Sequence, residues 1–189
     1  MKKTLLAAAF TTLLSTTAFA APQTYVIDST HTYPRFSYDH MGFSKQILRF
    51  NKTTGKVVLD KSANTAEVDV VIDMNTIDSG YDTFNGHLKG ADFFNTEKFP
   101  TATYKSTKVN FNGDTPVSVE GNLTIKGITK PVTLEITSFV NKAHPMLKKD
   151  AIGANATAVI KRSDFDAGKF APAVSDEVTL DIALEAIAQ

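Results

Sequence analysis

The chain contains no cysteine, which excludes disulfides, thiolate metal ligands and cysteine nucleophiles together. It has no excess of either charge, because 20 Lys and Arg stand against 20 Asp and Glu. Nucleic acids and anionic membranes call for clustered cations, so neither is expected as a principal partner. Catalytic motifs are equally scarce. There is no Gly-x-Ser-x-Gly elbow, no His-Glu-x-x-His and no glycine-rich phosphate loop, the arrangements used by serine hydrolases, zinc peptidases and nucleotide-binding enzymes. Paired carboxylates such as Asp69 and Asp73 fall on the outer face of their strand, where they serve solubility. The four histidines, His31, His40, His87 and His144, include no pair at the i, i+2 or i, i+4 spacing of a compact metal site. No catalytic residue, metal or cofactor is assigned, and the chain is not expected to be an enzyme.

Long apolar runs are also missing, with one exception at the N-terminus. Lys2 and Lys3 precede an apolar stretch from Leu5 to Leu14, and Ala18-Phe19-Ala20 places small residues where a signal peptidase requires them. Residues 1–20 therefore read as a signal peptide cleaved after Ala20, with export to the periplasm and no stable membrane insertion. The stretch falls short of the ~20 apolar residues of a membrane span, which disfavours an uncleaved anchor. The remaining chain, 21–189, has the size of one domain.

From Thr24 onward the hydrophobic period is two. Val68, Val70 and Ile72 alternate with Glu67, Asp69, Val71 and Asp73, a mostly polar set. The same holds for Val117, Val119, Gly121, Leu123 and Ile125, for Val132, Leu134 and Ile136, and for Val178, Leu180, Ile182 and Leu184. These are half-buried antiparallel strands. Strands are expected at 24–28, 35–40, 46–59, 66–73, 101–111, 116–125, 128–140, 151–161 and 177–187, with a helical stretch only near Tyr81 to Lys89. Asn112-Gly113-Asp114, Lys126-Gly127 and His144-Pro145 mark turns. The pattern is all-β, a barrel or a sandwich. The length of 46–59 favours the barrel, with Gly55 placed to let so long a strand bend. The stretch from His87 to Thr107 begins as an amphipathic turn and crosses Phe99-Pro100, where proline ends the helix. It makes a lid, 81–99, that runs into a wall strand and brings Leu88, Phe93, Phe94 and Phe99 to the barrel's rim.

An eight-stranded barrel has an interior just wide enough for side chains or for one small ligand. Ala154, Ala156 and Ala158 share the inner face of their strand with Ile152 and Ile160, and Gly121 also points inward, which leaves room near the axis. Phe36, Phe43, Phe50, Phe93, Phe94, Phe99, Phe165 and Phe170 either fill that room or close its ends. On the second strand Phe36, Tyr38 and His40 share the inward parity, and Arg35 has the opposite one. Residue pattern alone leaves filled and hollow barrels both open. A filled barrel would be a stress-response or protein-interaction module without a ligand.

Several segments decide between them by resemblance. His87-Leu88, Ala91-Asp92-Phe93-Phe94, Lys98-Phe99-Pro100-Thr101-Ala102-Thr103-Tyr104 and Ser106-Thr107 are similar to the YceI-like family. So are Asn122-Leu123-Thr124-Ile125-Lys126-Gly127, Thr129-Lys130-Pro131-Val132-Thr133-Leu134, Arg162-Ser163-Asp164-Phe165, Asp28-Ser29-Thr30-His31 and His40. The resemblance implies an antiparallel, eight-stranded, lipocalin-like barrel with a short helical lid. It also implies an apolar tunnel for a polyisoprenoid, including the tails of ubiquinone-type lipids. The expected ligand wall is Phe36, Tyr38, His40, Phe84, His87, Leu88, Phe93, Phe94, Phe99, Leu123, Ala154, Ala156, Ala158, Phe165 and Phe170, with His40 and His87 near the head group. Many members carry an arginine three residues before that histidine, where this chain has Phe84. The resemblance thus favours a neutral lipid or quinone, unless Lys89 or Arg35 supplies the cation. His31 reads as a turn residue with Asp28 and Ser29. A homodimer is compatible with such a barrel, but no residue specifies one.

Overall fold

The computed structural model describes residues 21–189; the signal-peptide assignment falls on 1–20, outside the described residues. Eleven strands form one antiparallel sheet: β1 Gln23–Ile27, β2 Tyr33–His40, β3 Ser44–Phe50, β4 Thr53–Asp60, β5 Thr65–Asp73, β6 Ile77–Asp78, β7 Thr101–Asn112, β8 Thr115–Ile125, β9 Ile128–Ala143, β10 Asp150–Lys161 and β11 Glu177–Ala188. Three pairs are single staves with a break. β1 and β2 both pair with β11, at Tyr25↔Ala188 to Ile27↔Ala186 and at Tyr33↔Ala183 to Ser37↔Thr179. β4 pairs with β1 and β5, whereas β3 pairs with β2 and β6. Eight staves result, and the first bonds both β11 and the β3/β4 stave, so the sheet closes into a barrel.

The expected 46–59 strand is thus one stave of two strands, and its break lies at Asn51-Lys52 rather than at Gly55. The break survives because its partner breaks opposite it. The Asn51 N–H donates to the Thr76 carbonyl at 3.1 Å, and the Asp73 N–H to the Lys52 carbonyl at 3.0 Å, around the 3₁₀ turn Met74–Thr76. Gly55 answers a different need. Its φ is +140°, and a Cβ there would lie 2.0 Å from the Asp69 carbonyl oxygen, so the neighbouring backbone occupies the side-chain position.

A second correction concerns Val117, which is exposed instead of inward. Register slips between β7 and β8, where Asn110 pairs with Ser118 but Phe111 with Pro116. The unpaired Val117 reverses the alternation. A similar slip opposite Asn155 and Ala156 carries the inward set of β9 from Ile136 to Phe139.

The break between β1 and β2 is organised by the residues expected to form a turn. Asp28 accepts from the Thr30 N–H at 2.9 Å and lies 2.8 Å from His31 Nδ1. The hydrogen bond to His31, with those from Thr30, holds the Asp28 carboxyl down at about 2, and Asp28 in turn raises the pKa of His31. The depressed acid contributes stability above about pH 4 that is lost as pH falls through its folded value. The raised imidazole contributes below about pH 6.5, and its share is lost as pH rises through its folded value. The melting temperature of His31→Ala is therefore expected to fall below that of the wild type by the widest margin between about pH 4 and pH 6, and to converge with it above pH 8. Thermal melts across that range check this, and a margin independent of pH would contradict it.

Candidate functional site

The barrel encloses a cavity of about 440 Å³ whose wall is almost entirely apolar and is drawn from all eight staves. Near the turns at 60–65 and 112–115 the wall is Leu59, Ala66, Val109 and Pro116. Farther along it is Val57, Val70, Tyr104, Leu123 and Leu134, and at the opposite end Phe36, Phe50, Phe84 and Phe94. That volume lies within the ~300–1,000 Å³ of ordinary ligand sites. It is about three times the ~150 Å³ of an engineered apolar cavity that stays dry and binds benzene. The barrel is hollow.

The small inward residues contribute unequally. Ala154 and Ala156 line the bore, while Ala158 is buried but does not reach it. The room beside Gly121 is taken: a Cβ there would sit 2.6 Å from the Tyr104 ring. The buried Tyr104 hydroxyl donates to the Val119 carbonyl at 2.8 Å, with the Val132 carbonyl at 3.0 Å. Burial raises its pKa far above the usual phenol range, so this ring is a neutral cross-brace at all ordinary pH. Tyr104 is a wall residue that sequence reasoning missed; a glycine on β8 diagonal to it, two residues from its partner Leu123, was the available signal.

One end of the bore is shut. Tyr25 is fully buried, and its hydroxyl donates to Asp150 at 2.8 Å, which Lys61 and Asn141 also engage. Partial burial opposes ionisation of Asp150, but these hydrogen bonds outweigh it and hold the carboxyl below its usual range. Burial, and then the Asp150 bond, raise the pKa of Tyr25.

The other end is a covered mouth. Helix α1, Asp82–Lys89, is tied to the segment before it by the Asn85 side chain, which accepts from the Ser79 N–H at 2.8 Å. Phe84 and Leu88, one turn apart, face the bore. The chain then doubles back, with the Phe94 N–H donating to the Leu88 carbonyl at 3.0 Å, which seats Phe94 5.7 Å from Phe50 and 6.1 Å from Phe36, ring centre to ring centre. Phe93 meets Phe170 at 6.3 Å, and Lys169 pairs with Asp92, tying the lid to the 162–176 loop. That loop is built on Arg162, whose guanidinium donates to the carbonyls of Ala167, Val174 and Ser175 at 2.8–2.9 Å. Its 3₁₀ turn Arg162–Phe165 buries Phe165 against the bore.

Of the expected ligand wall, Phe36, Tyr38, His40, Phe84, Leu88, Phe93, Phe94, Leu123, Ala154, Ala156, Phe165 and Phe170 line the cavity, and His87, Phe99 and Ala158 do not. His87 lies off the Phe84 and Leu88 stripe and is exposed. Phe99 instead packs against Gly127, where a Cβ would come within 3.1 Å of its ring. Polar groups are few. Neither the Tyr38 hydroxyl nor the His40 ring has a hydrogen-bond partner among the described residues, and both face the bore near its mouth. Burial raises the pKa of Tyr38. Thr53 Oγ1, deep in the wall, is the one fully buried side-chain polar atom without a partner among the described residues. Asp28, His31 and Glu185 stand close enough to hold a cation, but on the outer surface, where Asp28 and His31 already bond each other.

The fold and its bore define a closed β-barrel with an apolar tunnel sealed at one end and lidded at the other. The YceI-like domain family matches residues 25–186, and the chain belongs to that family. Protein YceI of Salmonella agona is 37% identical over 192 residues, covering 100% of both chains. Among solved structures, the YCEI protein of Campylobacter jejuni superposes with a TM-score of 0.67 at 25% identity, over 80% of this chain and 90% of that one. BcnA of Burkholderia cenocepacia has the same fold, with a TM-score of 0.71 at 24% identity over 84% and 98%. So does a polyisoprenoid-binding domain from Saccharophagus degradans, at 0.66 and 18% over 88% and 99%.

Ala156→Phe is expected to occupy the bore, lowering the uptake of a hydrophobic fluorescent probe by roughly tenfold or more. Because space is present, the ligand-free variant should melt near the wild type. A loss of about 1–3 kcal/mol with unchanged uptake would instead be the mark of a packed interior.

Proposed function

We propose that the chain is an exported carrier that holds the isoprenoid tail of a neutral lipid or quinone in the bore, with the ring or head group at the mouth. The observation that carries this reading is the bore itself: about 440 Å³, apolar and blind at the Tyr25 end. A hydrocarbon tail is the ligand that such a wall suits, since each five-carbon isoprene unit gains roughly 4 kcal/mol on leaving water. Non-covalent affinity saturates near −18 to −21 kcal/mol, so about five units already approach the ceiling. Longer tails gain nothing more, and bore length rather than hydrophobicity sets the preference. Tyr38 and His40 supply the unpartnered hydroxyl and imidazole that a quinone carbonyl can accept from. Phe84, standing where the family resemblance places a cation, adds an apolar ring to the mouth and favours an uncharged head. The likeness to a barrel named for polyisoprenoid binding supports the tail chemistry, and the N-terminal pattern supports the periplasm.

Native mass spectrometry of the purified protein, before and after organic extraction, tests the reading. A lipid adduct should disappear on extraction, and the melting temperature should drop by roughly 5–15 °C, as expected for loss of a ligand held 100–1,000-fold above its Kd. A protein that arrives empty and does not respond to an added long-chain quinone would overturn it. N-terminal sequencing should begin at Ala21.

A further inference from the structure

The mouth carries apolar residues that the bore does not need. The turn between β2 and β3, Met41-Gly42-Phe43, is exposed throughout, and so is Phe170-Ala171-Pro172-Ala173 in the loop beside it. Phe43 is 87% exposed, Phe170 58% and Met41 52%. Neither segment contains a charge. They are held side by side, since the Met41 N–H donates to the Ala173 carbonyl at 3.0 Å and His40 bridges to Val174. Met41 and Phe170 also line the bore, whereas Phe43 does not. The inner wall therefore runs without interruption onto the outer surface at this rim.

Resting on the carrier reading, we propose that these two turns dock the mouth on a lipid bilayer, so that a tail passes between Met41 and Phe170 without crossing water. Clustered exposed apolar side chains mark an interaction surface, and its size selects the partner. A stable protein interface takes about 20–30 residues a side, far more than two short turns offer. Three large side chains inserted among acyl chains give shallow, reversible attachment, of the kind a single lipid anchor provides, and a carrier must also let go. Lys45 follows the first turn, with an aliphatic stem long enough to reach back to head groups. The contact between Phe170 and Phe93 links the docking turn to the lid, so docking and lid opening share one side chain.

The chain has no tryptophan, so one introduced residue reports its own surroundings. With phosphatidylcholine vesicles carrying a long-chain isoprenoid quinone, Phe43→Trp emission should shift to the blue. Met146→Trp, at the opposite end of the barrel and 81% exposed in the native residue, should not. Phe43→Ser should slow quinone transfer from vesicles roughly tenfold yet leave uptake from detergent unchanged, because Phe43 is outside the bore wall. Docking at this rim is wrong if Met146→Trp shifts as much as Phe43→Trp, or if Phe43→Ser transfers at the wild-type rate. It is equally wrong if Phe43→Ser alters only the oligomeric state, which would make the rim a contact between copies. Failure of the carrier reading looks different: the wild type then takes up quinone from neither detergent nor vesicles, and the docking proposal goes with it.

Discussion

Closure of the sheet through its first stave is the constraint on which everything else depends. β11 is long enough to hold β1 with its last residues and β2 with its first ones, and β4 and β3 take the other sides. The gap between β1 and β2 is stitched to the same neighbour. The Asp28 N–H donates to the Glu185 carbonyl at 2.9 Å, and Thr32 Oγ1 accepts from the Glu185 N–H at 3.1 Å. With the ring closed, the sheet has no bare edge to protect. Cohesion around the wall comes from backbone hydrogen bonds, so the axis need not be filled for the wall to stand.

Packing inside the wall falls into two clusters. One buried cluster gathers around Tyr25, Leu59, Ile152 and Ala186, and the other around Tyr38, Phe50, Met74 and Leu88. The first is joined to a satisfied polar plug at Asp150, which does not open without leaving a buried hydroxyl unpaired. The second is made of aromatic contacts between a short lid and the wall, each weak and none covalent. The asymmetry gives the bore a direction.

Family membership and physics meet at the motif residues, which are mostly architectural here. Arg162 spends its guanidinium on loop carbonyls, Asp28 and His31 shape a chain break, and Gly127 makes room for Phe99. Motifs of this kind preserve a hollow shape. At the rim of this barrel, Phe84 and the Met41–Phe43 turn are apolar.

Much of this was legible in order. Alternation marked the strands and inward residues such as Val70, Leu134 and Leu184, because period two is imposed by the pleat wherever one face is buried. Proline at position 100 marked the end of the lid, the lid's run into its wall strand put Phe93 and Phe94 at the rim, and strand parity turned Phe36 inward. The features that escaped required neighbours distant in sequence. The break at Asn51-Lys52 exists because Thr76 and Asp73 on the next stave take up its hydrogen bonds. Val117 turned outward through a slip against Phe111, and Gly121 proved to be filled by Tyr104. Strand identity and closure potential reside in local side-chain pattern, which the chain carries within itself. Whether the axis held side chains or space was decided only when eight staves met, since a void is a property of the residues that surround it and belongs to none of them.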